Sequence, residues 1–168
     1  AFVAVATLVA TGPLGGDGGG APRPDAATWN LALVDAPAAW TTERGDGAVV
    51  AVIDTGVDAR HADLRGKVDA AVDCVGAAGD PVACRPTPGG DPDGHGTHVA
   101  GLIAGGDADG DGAAGVAPAA RLLAVTAVSP RRCARRPCGG TGGAADVAAG
   151  VRWSVAAGAD VVNLSLSV

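Results

Sequence analysis

Two side chains, Asp54 and His95, have the types and settings that could do chemistry. Asp54 is the first polar residue after the apolar run Ala48-Val-Val-Ala-Val-Ile53, which places a carboxylate at the end of a buried element. His95 stands between Gly94 and Gly96 at the start of a helical pattern, where glycine lets backbone or ligand come close. A helix N-terminus disfavours an imidazolium by about 0.3–1 kcal/mol, whereas a buried carboxylate partner favours it. That opposition leaves a histidine poised near neutral pH as a general base. An Asp–His pair of this kind serves a nucleophile: the carboxylate holds the imidazole tautomer while the ring takes the proton. By residue type alone, a structural aspartate and a helix-capping histidine fit equally well. His98 sits three residues on and need not share that face.

The elements that must position this pair are legible as a pattern. The β-branched run Ala48–Ile53 reads as a strand buried on both faces, the kind found in parallel sheets. Lys67–Val75 is a second, weaker strand. From Gly96 to Gly105, Val99, Leu102 and Ile103 recur at helical spacing. Arg121–Val128 is another buried strand. Ala144–Ala157 predicts a helix with Val147, Val151, Ser154 and Val155 on one stripe, stopped by Gly158. A strand over Val161–Leu166 follows. Strands alternating with helices predict an α/β fold: three layers, a mostly parallel sheet with helices on both faces. In such sheets sites gather at the carboxyl ends of strands, where Asp54 falls.

Four cysteines form two local pairs, Cys74 with Cys84 and Cys133 with Cys138. Neither has the spacing or histidine partners of a zinc site. Each pair is associated with a Gly/Pro-rich loop, Gly76–Pro92 or Ser129–Gly143. In a secreted chain, pairing within each loop is the simplest of the three connectivities.

Composition bounds the rest. The 168 residues suit one domain, and 66 of them are Ala or Gly while aromatics are scarce, so the core is built from Ala, Val and Leu. No apolar run reaches the 18 residues of a membrane-spanning helix. A net charge of −6 argues against nucleic acid as a partner. Phe2–Ala10 reads as the tail of a secretory signal segment and Thr11–Pro24 as a flexible Gly/Pro-rich linker. Residues 1–28 are therefore expected to be leader and linker. The absence of Met and the strand-like run Asp160–Val168, which stops without a turn, predict that both ends are cut.

Four motifs in order carry a family likeness: Val52-Ile-Asp54-Thr-Gly56-Val-Asp58, His61-Ala-Asp63-Leu64, Asp93-Gly-His95-Gly-Thr-His98-Val-Ala-Gly101 and Gly115-Val-Ala-Pro118. Together with the lead-in Trp29–Trp40 they resemble the subtilisin-like serine proteases, the subtilases. The resemblance runs from about Trp29 to Val168, and it implies that residues 29–168 are the front part of a subtilase-like catalytic domain. It implies that Asp54 orients His95, that His95 is the general base, and that His98 is structural. Gly140-Thr141-Gly142 is similar to the segment that pairs with the substrate backbone as an extra strand. Ser165-Leu166-Ser167 is similar to the opposite edge of that cleft, with Ser167 where the family usually has Gly. Peptide held between two edges by main-chain hydrogen bonds is strand addition, tolerant of sequence.

The family's nucleophilic serine and oxyanion asparagine belong to motifs further along a subtilase chain. Ser129, Ser154, Ser165 and Ser167 lack that setting, and Asn163 falls in the last strand motif. The expectation is a serine endopeptidase in full length, acting on peptide or protein, with this polypeptide alone inactive. No cofactor is required for the chemistry. A structural calcium ion is implied at Asp63 and at the acidic run Asp107-Ala-Asp109-Gly-Asp111, although Pro118 stands where a calcium loop of that spacing needs an acid. Arg131, Arg132, Arg135 and Arg136 lie between or beside the second cysteine pair and favour acidic substrate residues if that loop overhangs the cleft. The short Gly/Pro-rich approach to Trp29 is similar to the mycosin-like subgroup. A secreted or cell-surface location follows, with membrane anchoring left open. Two rival readings stand: a catalytically silent peptide-binding module of the same fold, and an aspartic-type peptidase using Asp54-Thr-Gly56, which leaves the His95 motif unexplained.

Overall fold

A computed structural model describes residues 29–106, 114–133 and 136–166. The expected leader and linker, the acidic run from Asp107, Ser167 and the cysteine side chains at 133 and 138 lie outside the described residues.

The β-branched and Leu-rich runs form the sheet. Strands β1 (Val49–Asp54), β2 (Val68–Asp73), β4 (Arg121–Thr126) and β7 (Val161–Asn163) run parallel, and β3 (Arg85–Pro86) adds one short antiparallel edge, in the order β3-β2-β4-β1-β7. Alternation along the strands splits the core in two. Val50 and Val52 point with Leu122 and Ala124 to one face, packed by helix α3 (His95–Ala104). Ile53 and Val125 point to the other, packed by α4 (Ala144–Ala156). The expected three-layer arrangement is present. Two short helices, α1 (Trp29–Leu33) and α2 (Ala36–Ala39), form the lead-in, which Trp40 anchors by donating its indole N–H to the Val116 carbonyl at 2.8 Å.

The helix faces differ from the stripes the sequence suggests. On α4 the sheet-facing line is Ala149, Gly150 and Ser154, while Val147 and Val151 flank it and Val155 is 46% exposed. On α3 it is Gly96, Ala100 and Ala104, with Leu102 turned 44% to solvent. Close packing explains both. A Cβ on Gly150 would come within 2.9 Å of Val125 Cγ1, so only a minimal residue fits there.

Within the expected Ser129–Gly143 loop, β5 (Ser129–Cys133) and β6 (Arg136–Thr141) form an antiparallel pair. β7 ends at Asn163 rather than Leu166. Cys74 and Cys84 are disulfide-bonded and buried, joining the end of β2 to the residue before β3. The loop between them is fastened to α4. Ala78 N–H donates to Asp146 Oδ1 at 3.1 Å, and Arg152 Nη1 donates to the Gly79 carbonyl at 2.7 Å.

Candidate active site

Asp54 is the last residue of β1 and is fully buried. Its carbonyl accepts the N–H groups of Ala127 and Val128 at 3.0 and 3.3 Å, tying the carboxyl ends of β1 and β4 together. Its Oδ1 accepts the Thr55 N–H at 2.7 Å and the Nδ1–H of His95, also at 2.7 Å. His95 is the first residue of α3, so a strand end and a helix start meet through one carboxylate.

Two glycines permit the meeting. A Cβ on Gly96 would lie 2.0 Å from the Gly56 carbonyl oxygen and 3.0 Å from Asp54 Cβ. Gly56 has φ +117°, and a Cβ there would lie 2.2 Å from the Gly90 oxygen. Both positions are closed to any side chain without a backbone shift.

With Nδ1–H donated to Asp54, Nε2 is the ring nitrogen left to accept a proton. The His95 side chain is 49% exposed, so this nitrogen belongs to a ring open to a reactant. The hydrogen bond to Asp54 raises the imidazole pKa above its ordinary 6.5; burial opposes it, and the charges of Asp54, Asp93 and Asp91 add to it. The arrangement can take a proton from a nucleophile and stabilise the imidazolium that forms.

The described parts of the segments expected to form the cleft, 140–142 and 164–166, lie at the same end of the sheet. β6 carries Gly140 and Thr141, paired with Pro130 and Ser129, and has no second strand partner among the described residues. Gly142 follows, and a Cβ there would lie 1.9 Å from the Ala127 oxygen, so this segment rests on the residue that bonds Asp54. The register of β7, with Asn163 beside Val52, leads Leu164, Ser165 and Leu166 toward the Asp54 end. Ser165 Oγ accepts from Asn163 Nδ2 at 3.0 Å, and Ser154 Oγ donates to the Gly150 carbonyl inside α4. His98 faces elsewhere, lining a cavity of about 600 Å³ with Asp58, His61 and Asp63.

Asp91 is a site residue that residue-by-residue reading missed. Its carboxylate accepts Thr55 Oγ1–H at 2.8 Å and both the N–H and Oγ1–H of Thr97, at 2.8 and 2.7 Å. The only signal was an aspartate four residues ahead of a helix-initial histidine.

An imidazole oriented by a buried carboxylate at the carboxyl edge of a mostly parallel sheet is an Asp–His pair of the kind that serves a nucleophile. Residues 45–168 match the subtilase family (Peptidase S8), and the chain belongs to it. It is 40% identical over 129 residues to the thermophilic serine proteinase of Bacillus sp. (strain AK1), covering 76% of this chain and 28% of that protein. To Mycosin-3 of Mycobacterium tuberculosis (strain ATCC 25618 / H37Rv) it is 37% identical over 161 residues, covering 92% of this chain and 32% of that protein. The solved structure of the MycP3 protease from the type VII (ESX-3) secretion system superposes with a TM-score of 0.63 at 38% identity, covering 86% of this chain and 38% of that one. The chain thus spans about a third of these relatives. Other relatives include both extracellular and intracellular proteases.

Proposed function

We propose that this chain carries the aspartate and histidine of a serine endopeptidase whose nucleophilic serine and oxyanion asparagine lie in the remainder of the full-length protein. The observation that supports this most directly is the 2.7 Å bond from His95 Nδ1 to the fully buried Asp54. Asp54 orients the ring and stabilises its charged form; His95 Nε2 takes the serine proton and returns it to the leaving amine. Peptide substrate lies as an added strand between the free edge of 140–142 and the segment 165–167. Neither Ser154 nor Ser165 is bonded to His95, which supports residues 1–168 being inactive by themselves.

The test is peptide hydrolysis by the protein of the complete coding sequence, beside residues 1–168. Hydrolysis by the former alone, blocked by a serine-directed phosphonate and reduced about 10⁴-fold by Asp54→Asn, is expected. Hydrolysis by residues 1–168, or a coding sequence without a downstream serine, overturns the reading; the latter leaves a peptide-binding module.

The buried Cys74–Cys84 disulfide supports a secreted or cell-surface location. The Mycosin-3 alignment takes in part of the segment before Trp29, which supports the mycosin-like subgroup. One observation supports a structural calcium ion at Asp63: its Oδ1 is buried without a hydrogen-bond partner, and its carbonyl accepts the Gly106 N–H. Among the described residues no group of three or more acidic, histidine or cysteine side chains accompanies it, so further ligands would have to come from elsewhere. Chelation is expected to lower the Tm of the full-length protein by a few degrees, an effect absent in Asp63→Asn; an unchanged Tm removes the ion.

A further inference from the structure

We propose that Asp91 is a positioning residue for the Asp54–His95 pair: one half-buried carboxylate that fixes where along their contact the strand end and the helix start lie. The proposal rests on His95 being the general base, and deepens that reading. Asp91 Oδ1 takes the hydroxyl of Thr55, the residue after Asp54, and Oδ2 takes the N–H and hydroxyl of Thr97, two residues after His95. Thr55 Oγ1 in turn accepts the Gly96 N–H at 3.1 Å, and Thr97 Oγ1 accepts the Asp58 N–H at 3.0 Å. Asp93 N–H donates to Asp91 Oδ1 at 3.3 Å, holding the loop that leads into α3.

The two hydroxyls therefore bridge the carboxylate to backbone on either side of the pair. Sliding α3 along β1 would break the Thr55–Gly96 bond, and rotating it would break both bonds of Thr97. Helices pack on sheets with some freedom to shift, and a general base misplaced by a fraction of an ångström loses much of its rate. Gly56 and Gly96 set how close the elements come; Asp91 sets where along that contact they stop. Burial works against its charge, but the bonds from Thr97, Thr55 and the Gly94 N–H outweigh burial and hold the carboxyl below its ordinary range. The bridge thus stays ionised across the range in which a histidine base works.

The charged groups facing His95 are Asp54 on β1 and Asp91 and Asp93 on the approach to α3, and all three raise its pKa. Positioning and charge are separable on that basis. In the full-length protein, Asp91→Asn is expected to lower kcat by about tenfold or more with KM within about twofold, and to move the acidic limb of the pH profile down. Thr55→Val keeps the Asp91 charge and removes the bridge; kcat should fall likewise while the limb stays close to its original pH. Thr97→Ser keeps the hydroxyl bonded to Asp91 and is the conservative control, in which kcat and the pH limb should stay near those of the unaltered protein. The low-field proton resonance of His95 Nδ1–H should broaden or shift in Asp91→Asn and Thr55→Val and persist in Thr97→Ser. Unchanged kcat in Asp91→Asn, or an unchanged Nδ1–H signal in both variants, overturns the proposal. If the full-length protein hydrolyses nothing, the peptidase reading falls and the Nδ1–H signal still decides whether Asp91 positions the pair.

Discussion

At His95 two consequences follow from one hydrogen bond. Because the bond to Asp54 raises the imidazole pKa above 6.5, the base is fully neutral only above the raised value, and the acidic limb of kcat/KM should lie above 6.5. The same shift bears on stability. Between 6.5 and the folded value the native state binds more protons than the unfolded one. The stabilisation is therefore complete below 6.5 and lost as pH rises through the folded value. A falling urea midpoint across that window, flattened in His95→Gln, is the expected outcome; the half-exposed ring keeps the effect small. Gly96→Ala acts on the same geometry by adding atoms. Its Cβ must displace the Gly56 carbonyl, so a loss of about 1–3 kcal/mol is expected in denaturant unfolding, with kcat falling as the pair opens. Asp54 and His95 were legible because each is a polar residue set against apolar or glycine neighbours. Asp91 was not: its partners Thr55 and Thr97 are ordinary hydroxyl residues, and Thr55 joins it only across 36 residues of chain.

At the scale of elements, the loop closed by Cys74 and Cys84 acts as a clasp between β2 and α4. Replacing both cysteines by serine should cost about 2–3 kcal/mol, read as a lower denaturant midpoint. Asp146 is the other half of the clasp. It accepts the Ala78 N–H and, at 3.4 Å, the Gly143 N–H at the start of α4, so Asp146→Ala should remove about 1 kcal/mol. The parallel strands were readable from their β-branched runs, because strands buried on both faces need apolar residues at consecutive positions. The β5–β6 hairpin was hidden, since an Arg-, Pro- and Gly-rich stretch shows no alternation of apolar and polar residues. The stripe on α4 was right in Ser154, Val147 and Val151 and wrong in Val155, which is exposed. Valines signal burial in a one-dimensional pattern, whereas the closest approach to Ile53 and Val125 is at Gly150, which carries no such signal.

Among the described residues β7 is one edge of the sheet, and Val161 in it and Leu164 just after it are exposed. An edge of this kind invites pairing. Residues 29–168 expressed alone should self-associate with rising concentration in size-exclusion chromatography, and Val161→Lys should reduce it. The small residues at the buried centre of the helix–sheet contacts, among them Gly96, Ala100, Ala104, Ala149 and Gly150, have a thermodynamic consequence. Such residues lose almost no rotamer freedom on folding, and they also withdraw little apolar surface from water. The heat capacity released on unfolding should then fall below the roughly 12–15 cal/mol/K per residue of ordinary domains. Calorimetry of the full-length protein would show it as a flattened stability curve, with folding free energy changing slowly between cold and warm.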